Sequence, residues 1–81
     1  MMHPTVHLNG TARSDLLDGY LRARTELVQA RHALYDAAPN GRDYYVQGPD
    51  AITKARDEHL ARIAKIEDVI ADIEALCERL V

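Results

Sequence analysis

The side chains best suited to chemistry lie in one short segment, APNGRDYYVQGPD, at residues 38–50. Tyr44 and Tyr45 offer flat faces on which nucleobases could stack, a contact that contributes ~1–3 kcal/mol per base in nucleic-acid complexes. Arg42 offers a guanidinium fork, which suits phosphate oxygens. The segment therefore predicts a nucleotide-binding loop. The alternative is a packed loop in which the two tyrosines cover the end of a helical bundle.

Other residues of the segment fit the same prediction. Asp43 could accept hydrogen bonds from a base or a ribose, or hold Arg42 in place, and Gln47 could recognise the edge of a base. Gly41 and Gly48 permit unusual backbone angles and a close approach of a ligand. The connection is longer than the roughly four to six residues that usually join two elements, and long loops are often functional.

Two stretches with the pattern of a helix must position this loop. The first helix is predicted from about residue 12 to 37, with Thr11 as its N-cap and Pro39 ending it. The second is predicted from about 49 to 80, which leaves residues 38–48 as the loop. A short extended segment precedes the first helix.

Apolar residues recur at spacings of three and four along the second helix, as is typical of helix packing. Seven of the nine seam positions are apolar. The seam consists of Ile52, Arg56, His59, Ile63, Ile66, Ile70, Ile73, Cys77 and Leu80. One track of the first helix consists of Leu17, Leu21, Arg24, Val28, Arg31 and Tyr35. The pattern predicts a single all-α domain over residues 1–81, an antiparallel two-helix hairpin. Because a lone hairpin leaves apolar surface in water, we expect a homo-oligomer, a dimer or tetramer with a four-helix bundle core.

Basic side chains are predicted to gather in the loop half of the hairpin. If the helices fold symmetrically about the loop, facing residues have numbers that sum to about 86. This places Arg31 across from Arg56, and Leu27 across from His59. The positive charge of such a cluster needs to be compensated by an anionic ligand or by neighbouring acids. The alternative is a set of ordinary solvated or acid-paired arginines. The predicted cluster consists of Arg24, Arg31, Arg56, Arg62 and His59.

The charge distribution limits the classes of partner. Residues 20–65 carry eight basic and six acidic side chains, whereas residues 66–81 carry one basic and five acidic ones. The net charge of −3 argues against long nucleic acid as a partner. The loop half is nevertheless basic, which suits a small anionic ligand.

A second anion site is predicted at the start of the first helix. Asn9, Gly10 and Thr11 precede it, and free backbone N–H groups at a helix N-terminus attract phosphate. In an antiparallel assembly this site could reach the loop of a neighbouring subunit and form a composite pocket. The alternative is a plain N-cap.

No sequence motif indicates catalysis, a cofactor or a metal. Cys77 is the only cysteine, so no disulfide within the chain is predicted, and its seam position predicts a buried apolar thiol. No apolar run approaches the roughly 20 residues of a membrane span, and no signal peptide is visible. We therefore expect a cytoplasmic, non-enzymatic protein without a cofactor.

The stretches HLNGT at residues 7–11 and APNGRDYYVQGPDA at residues 38–51 resemble those of small helical proteins encoded by phages and prophages. This group is similar to the anti-CBASS sponges, which are small oligomeric phage proteins. The resemblance implies immune evasion in the cytoplasm of a bacterial host, by sequestration of a cyclic oligonucleotide signal without cleavage. It carries over no binding residue.

The residues themselves, rather than the resemblance, indicate the ligand site. The predicted ligand-binding residues are Asn9, Gly10, Thr11, Arg31, Tyr35, Arg42, Asp43, Tyr44, Tyr45, Gln47, Arg56 and His59. Two other functions remain open. The chain could be an adaptor module that docks on a larger phage or host protein, or a small nucleotide-cleaving enzyme.

Overall fold

The computed structural model describes all residues, 1–81, and contains two α-helices and no strand. Helix α1 is Arg13–Asp36 and helix α2 is Ala51–Leu80. Two single 3-10 turns, Gly41–Asp43 and Tyr45–Gln47, lie between them. The all-α class is confirmed, and the first and last residues of each helix lie within two residues of the predicted bounds. Neither helix is long and apolar enough to cross a membrane.

The predicted N-cap of α1 is wrong by one residue. Ala12, with extended backbone angles, occupies the N-cap position, and no side chain caps the helix. The backbone N–H of Leu16 donates to the Ala12 carbonyl oxygen at 3.1 Å and so starts the helical ladder. Thr11 therefore lies one residue outside the helix, too early for the usual hydrogen bond from an N-cap side chain to the first turn.

All six buried residues lie on α2, and α1 contributes none. They are His59, Ile63, Ile70, Leu76, Cys77 and Leu80. Every one except Leu76 is a predicted seam position, because a stripe of this spacing stays on one side of a helix. Cys77 is a buried free thiol, as its seam position predicts. The apolar residues of α1 are only half-buried or exposed.

The helices are antiparallel, but their predicted register is wrong. Arg24 pairs with Glu74, and Arg31 pairs with Glu67, so the numbers of these partners sum to 98 rather than about 86. His59 contacts the backbone of Leu34, not Leu27. The cause is the connection, which does not turn tightly but lies along the first two turns of α2. Helix α1 consequently ends across from a later part of α2.

Candidate functional site

The connection is held by a chain of short-range hydrogen bonds. The Asn40 side-chain oxygen accepts from the backbone N–H of Arg42 at 3.0 Å, and the Asn40 carbonyl accepts from Asp43 at 3.0 Å. Further along, the Gln47 N–H donates to the Tyr44 carbonyl at 2.9 Å. Asparagine suits this position because its short side chain bonds the backbone two residues on. The loop therefore has a defined conformation that fixes where its side chains lie.

The two loop tyrosines lie in different environments. Tyr44 is half-buried and lines a cleft against α2, whereas Tyr45 is 74% exposed. Adjacent residues diverge here because Tyr44 ends one 3-10 turn and Tyr45 begins the next. Tyr44 thus presents a positioned aromatic surface, and Tyr45 remains free to contact another molecule.

Two adjoining hollows lie between the connection and the first turns of α2, and we call them together the loop cleft. Their volumes are about 230 Å³ and about 390 Å³, and both are lined by Gln47, Ala51 and Lys54. Tyr44, Ala55 and Glu58 complete the first hollow. Gly48, Pro49 and Asp50 complete the second. An aromatic ring, an amide, an ammonium group and two carboxylates therefore meet in one cleft.

Sequence reasoning missed the α2 side of this cleft. Lys54 and Glu58 were not predicted as site residues, although they share a helical face with Ala51 and Ala55 at spacings of three and four. That spacing was the available signal. The spacing alone could not identify Lys54 and Glu58 as site residues. Nothing in the sequence shows that the connection lies over this face of α2 rather than projecting beyond the helix ends.

Two predicted loop residues lie outside the cleft. Arg42 and Asp43 are exposed on the first 3-10 turn and line neither hollow. Arg42 takes part in no ion pair, so its guanidinium group is free to meet an anion. Of the five loop residues predicted to bind a ligand, only Tyr44 and Gln47 line the cleft itself.

The predicted basic cluster does not form as a unit. The Arg24 guanidinium lies 3.2 Å from Glu74, and the Arg31 guanidinium lies 3.7 Å from Glu67, both on the acidic half of α2. The shifted register brings these opposite charges together, so the acids compensate the two arginines. Arg31 is therefore not available near the loop as a phosphate ligand.

Three other predicted residues line a separate cleft, which we call the Tyr35 cleft. Tyr35, Arg56 and His59 lie around a hollow of about 200 Å³. Its remaining walls are the apolar or small residues Ala38, Pro39, Leu60 and Ile63. From the helical rotation of 3.6 residues per turn, this cleft lies roughly 140° around α2 from the loop cleft. The two clefts are thus on different faces and do not form one pocket.

His59 has a structural role at the end of α1. Its Nε2 lies within hydrogen-bonding distance of the Leu34 carbonyl oxygen and donates to it, because a carbonyl only accepts. Leu34 is in the last turn of α1, where four carbonyl groups lack the usual partner within the helix. The buried His59 ring therefore connects α2 to the C-terminal end of α1. Because its Nε2 already donates to Leu34, this nitrogen is not free to bind a ligand.

We expect His59→Ala to lower the free energy of unfolding by about 1–3 kcal/mol, because it removes a buried ring and the donor to Leu34. Chemical denaturation followed by circular dichroism measures this change. His32→Ala is the matched control, since the His32 side chain is 81% exposed and its change should stay within about 0.5 kcal/mol. Equal effects of the two substitutions would show that His59 contributes no more than a surface histidine.

The predicted second anion site lies at the other end of the hairpin. Asn9, Gly10 and Thr11 are exposed beside the start of α1, about 36 Å along the helix from its loop end. The Gly10 N–H already donates to the His7 carbonyl at 3.1 Å. A Cβ at Gly10 would lie 2.8 Å from the His7 ring, so glycine permits this close contact. Gly10 therefore does not offer a free N–H to an anion.

Comparison with protein-family models, curated proteins and solved structures finds no match to this chain. No three His, Cys, Asp or Glu side chains converge in a way that could hold a metal ion.

Proposed function

We propose that this protein binds a nucleotide-type anion in the loop cleft and sequesters it without cleaving it. The observation that carries the proposal is the meeting of the Tyr44 ring, the Gln47 amide and the Lys54 ammonium group in one cleft. A nucleotide needs a flat partner for its base, hydrogen bonds at the base edge and a positive group for its phosphate. These three side chains provide each of them.

Each cleft residue has a role that follows from its position. Tyr44 is half-buried, so a base that stacks on it meets a ring that is already held in place. Lys54 lines both hollows, so its ammonium group can reach a phosphate in either. Asp50 and Glu58 accept hydrogen bonds, and their carboxylates favour a ligand with ribose hydroxyls over a bare phosphate.

Two exposed loop residues extend the proposed site beyond one nucleotide. Tyr45 and Arg42 are exposed on the two 3-10 turns that meet at Tyr44, and they offer a second aromatic face and a second cationic group. A ligand with two bases and two phosphates, such as a cyclic oligonucleotide, would use both sets. The resemblance of HLNGT and NGRDYY to phage-encoded helical proteins supports this ligand class, and with it a role in immune evasion within a bacterial host.

Native mass spectrometry with a panel of cyclic di- and trinucleotides tests the proposal. We expect the protein to gain whole nucleotide masses and to release the ligand intact after denaturation. Release of cleavage products would instead identify a nucleotide-cleaving enzyme. Uptake of no member of the panel would contradict the proposal and favour an adaptor that docks on another protein.

Two substitutions should weaken the binding of whichever nucleotide the panel identifies. Tyr44→Ala should raise the dissociation constant roughly 5- to 150-fold, the equivalent of ~1–3 kcal/mol of lost stacking. Lys54→Gln should raise it about 10-fold or more, and more steeply at low salt, because a phosphate contact is lost. Isothermal titration calorimetry measures both changes.

Lys65→Gln is the matched control for Lys54→Gln. It removes the same charge from an exposed position of α2, roughly 16 Å further along the helix, and should leave affinity unchanged. If Lys54→Gln and Lys65→Gln weaken binding equally, the ligand responds to overall charge and the loop cleft is not its site.

A further inference from the structure

The hairpin exposes more surface than a compact chain of its mass. Its accessible surface is 6207 Å². A compact monomer of 9.1 kDa would expose roughly 4,900 Å² by the usual scaling with mass. The excess of roughly 1,300 Å² per chain matches what one subunit buries in an obligate homodimer, where the total is about 2,000–5,000 Å². A partner of the size and shape of the chain itself would cover this excess.

One face of the hairpin carries a stripe of exposed and half-buried apolar side chains that continues into the Tyr35 cleft. On α1, Leu21, Val28 and Tyr35 recur every seven residues and form one stripe, with Leu21 44% and Tyr35 51% exposed. On α2, Leu60 is 58% exposed and borders the Tyr35 cleft. The stripe and the cleft are continuous, since Tyr35 belongs to both. We call this surface the Tyr35 face.

We propose that the Tyr35 face binds the same face of a second copy, with the two hairpins antiparallel about a two-fold axis near Val28. In a two-fold interface each residue pair occurs twice, with the partners exchanged. Val28 then meets Val28 of the second copy, and Leu21 meets Tyr35. The Leu21 side chain of each copy would enter the Tyr35 cleft of the other, whose lining surface is almost entirely apolar although Arg56 and His59 contribute to it.

The charge distribution along α2 selects the antiparallel arrangement. Residues 51–65 carry four basic and two acidic side chains, whereas residues 66–80 carry one basic and five acidic ones. A parallel pair would place like charges side by side at both ends. An antiparallel pair places the basic half of each copy beside the acidic half of the other, which favours association. The pairing requires no bound nucleotide.

Two ion pairs also lie within the Tyr35 face. Arg24–Glu74 and Arg31–Glu67 span the two helices on this side, and their side chains are between 32% and 48% exposed. Because each of these four charges already has its partner, covering the two pairs leaves none of the four unpaired. Their long aliphatic stems add apolar area.

Homotypic cysteine cross-linking tests the arrangement without any ligand. Single variants Val28→Cys, Leu21→Cys and Tyr35→Cys are made in a Cys77→Ala background, after circular dichroism confirms that the background is helical. Under mild oxidation, most of the Val28→Cys protein should form a disulfide-linked dimer by itself. Leu21→Cys and Tyr35→Cys should each remain largely uncrosslinked alone and form a mixed dimer when combined.

Each other pattern overturns the proposal. Cross-linking of all three variants by themselves would show a parallel pair, and cross-linking of none would show that this face does not meet itself. Light scattering on the unmodified protein should give about twice the 9.1 kDa chain mass, or a larger even multiple, and a monomer would contradict any pairing. Tyr35→Glu should halve the measured mass, whereas Val46→Glu, a control at an exposed loop position, should leave it unchanged.

Discussion

Ile63→Ala is expected to lower the free energy of unfolding by about 2–5 kcal/mol. Ile63 is 2% exposed and is the largest fully buried side chain of the molecule. It lies one turn beyond His59, where α2 carries the contact with α1. A chain of 81 residues has roughly 4–12 kcal/mol of total stability, so this loss would unfold a measurable part of the population.

Urea denaturation followed by circular dichroism measures the effect of Ile63. The graded variant Ile63→Val removes one methylene and should cost about 0.5–1.5 kcal/mol. Val69→Ala, at a position 44% exposed on the same helix, should stay within about 0.5 kcal/mol. An Ile63→Ala protein as stable as the Val69→Ala protein would mean that the described core does not hold the hairpin together.

Gly48→Ala is expected to destabilise the protein by about 1–3 kcal/mol and to distort the loop cleft. The backbone of Gly48 has φ 120° and ψ 167°, a region that essentially only glycine occupies. Gly48 also lines the cleft and accepts a hydrogen bond from the Ala51 N–H at 3.3 Å, which leads the chain into α2. An alanine would have to change the direction in which the connection enters the helix.

Gly41→Ala is the matched control in the same loop. Its φ is not positive, and a Cβ there meets nothing within 4 Å. Alanine at this position should be neutral or stabilising by about 0.4–1 kcal/mol, because it restricts the unfolded chain. Thermal unfolding compares the melting temperatures of the two variants. If Gly48→Ala melts at or above the temperature of Gly41→Ala, the positive φ is not required.

Most of the fold could be predicted from the sequence because its signals are local. The spacing of Ile63, Ile70 and Cys77 marks the buried side of α2, and Pro39 marks where α1 has to end. The register was not predictable in this way. It depends on how the connection packs along α2, which is a tertiary contact between residues that no periodicity relates.

The candidate site was predicted only in part for the same reason. The loop residues have recognisable chemistry, and Tyr44 and Gln47 do line a cleft. Lys54 was missed because its role depends on the packing of the loop over α2. Arg31 was assigned to the loop half because the facing residues were counted from a symmetric turn, whereas it lies across from Glu67.

The two arginine–glutamate pairs favour one alignment of the helices over the alignments next to it. A repeated isoleucine seam packs almost as well if one helix slides by seven residues, so apolar contacts alone do not choose a register. Arg24 and Arg31 are seven residues apart, as are Glu67 and Glu74. A slide in one direction would place Arg31 opposite Leu60, and a slide in the other would place Arg24 opposite Val81. Either slide breaks both pairs and forms only one new arginine–glutamate pair, Arg24–Glu67 in the first case and Arg31–Glu74 in the second. The two ion pairs therefore favour the observed alignment, although each adds little stability.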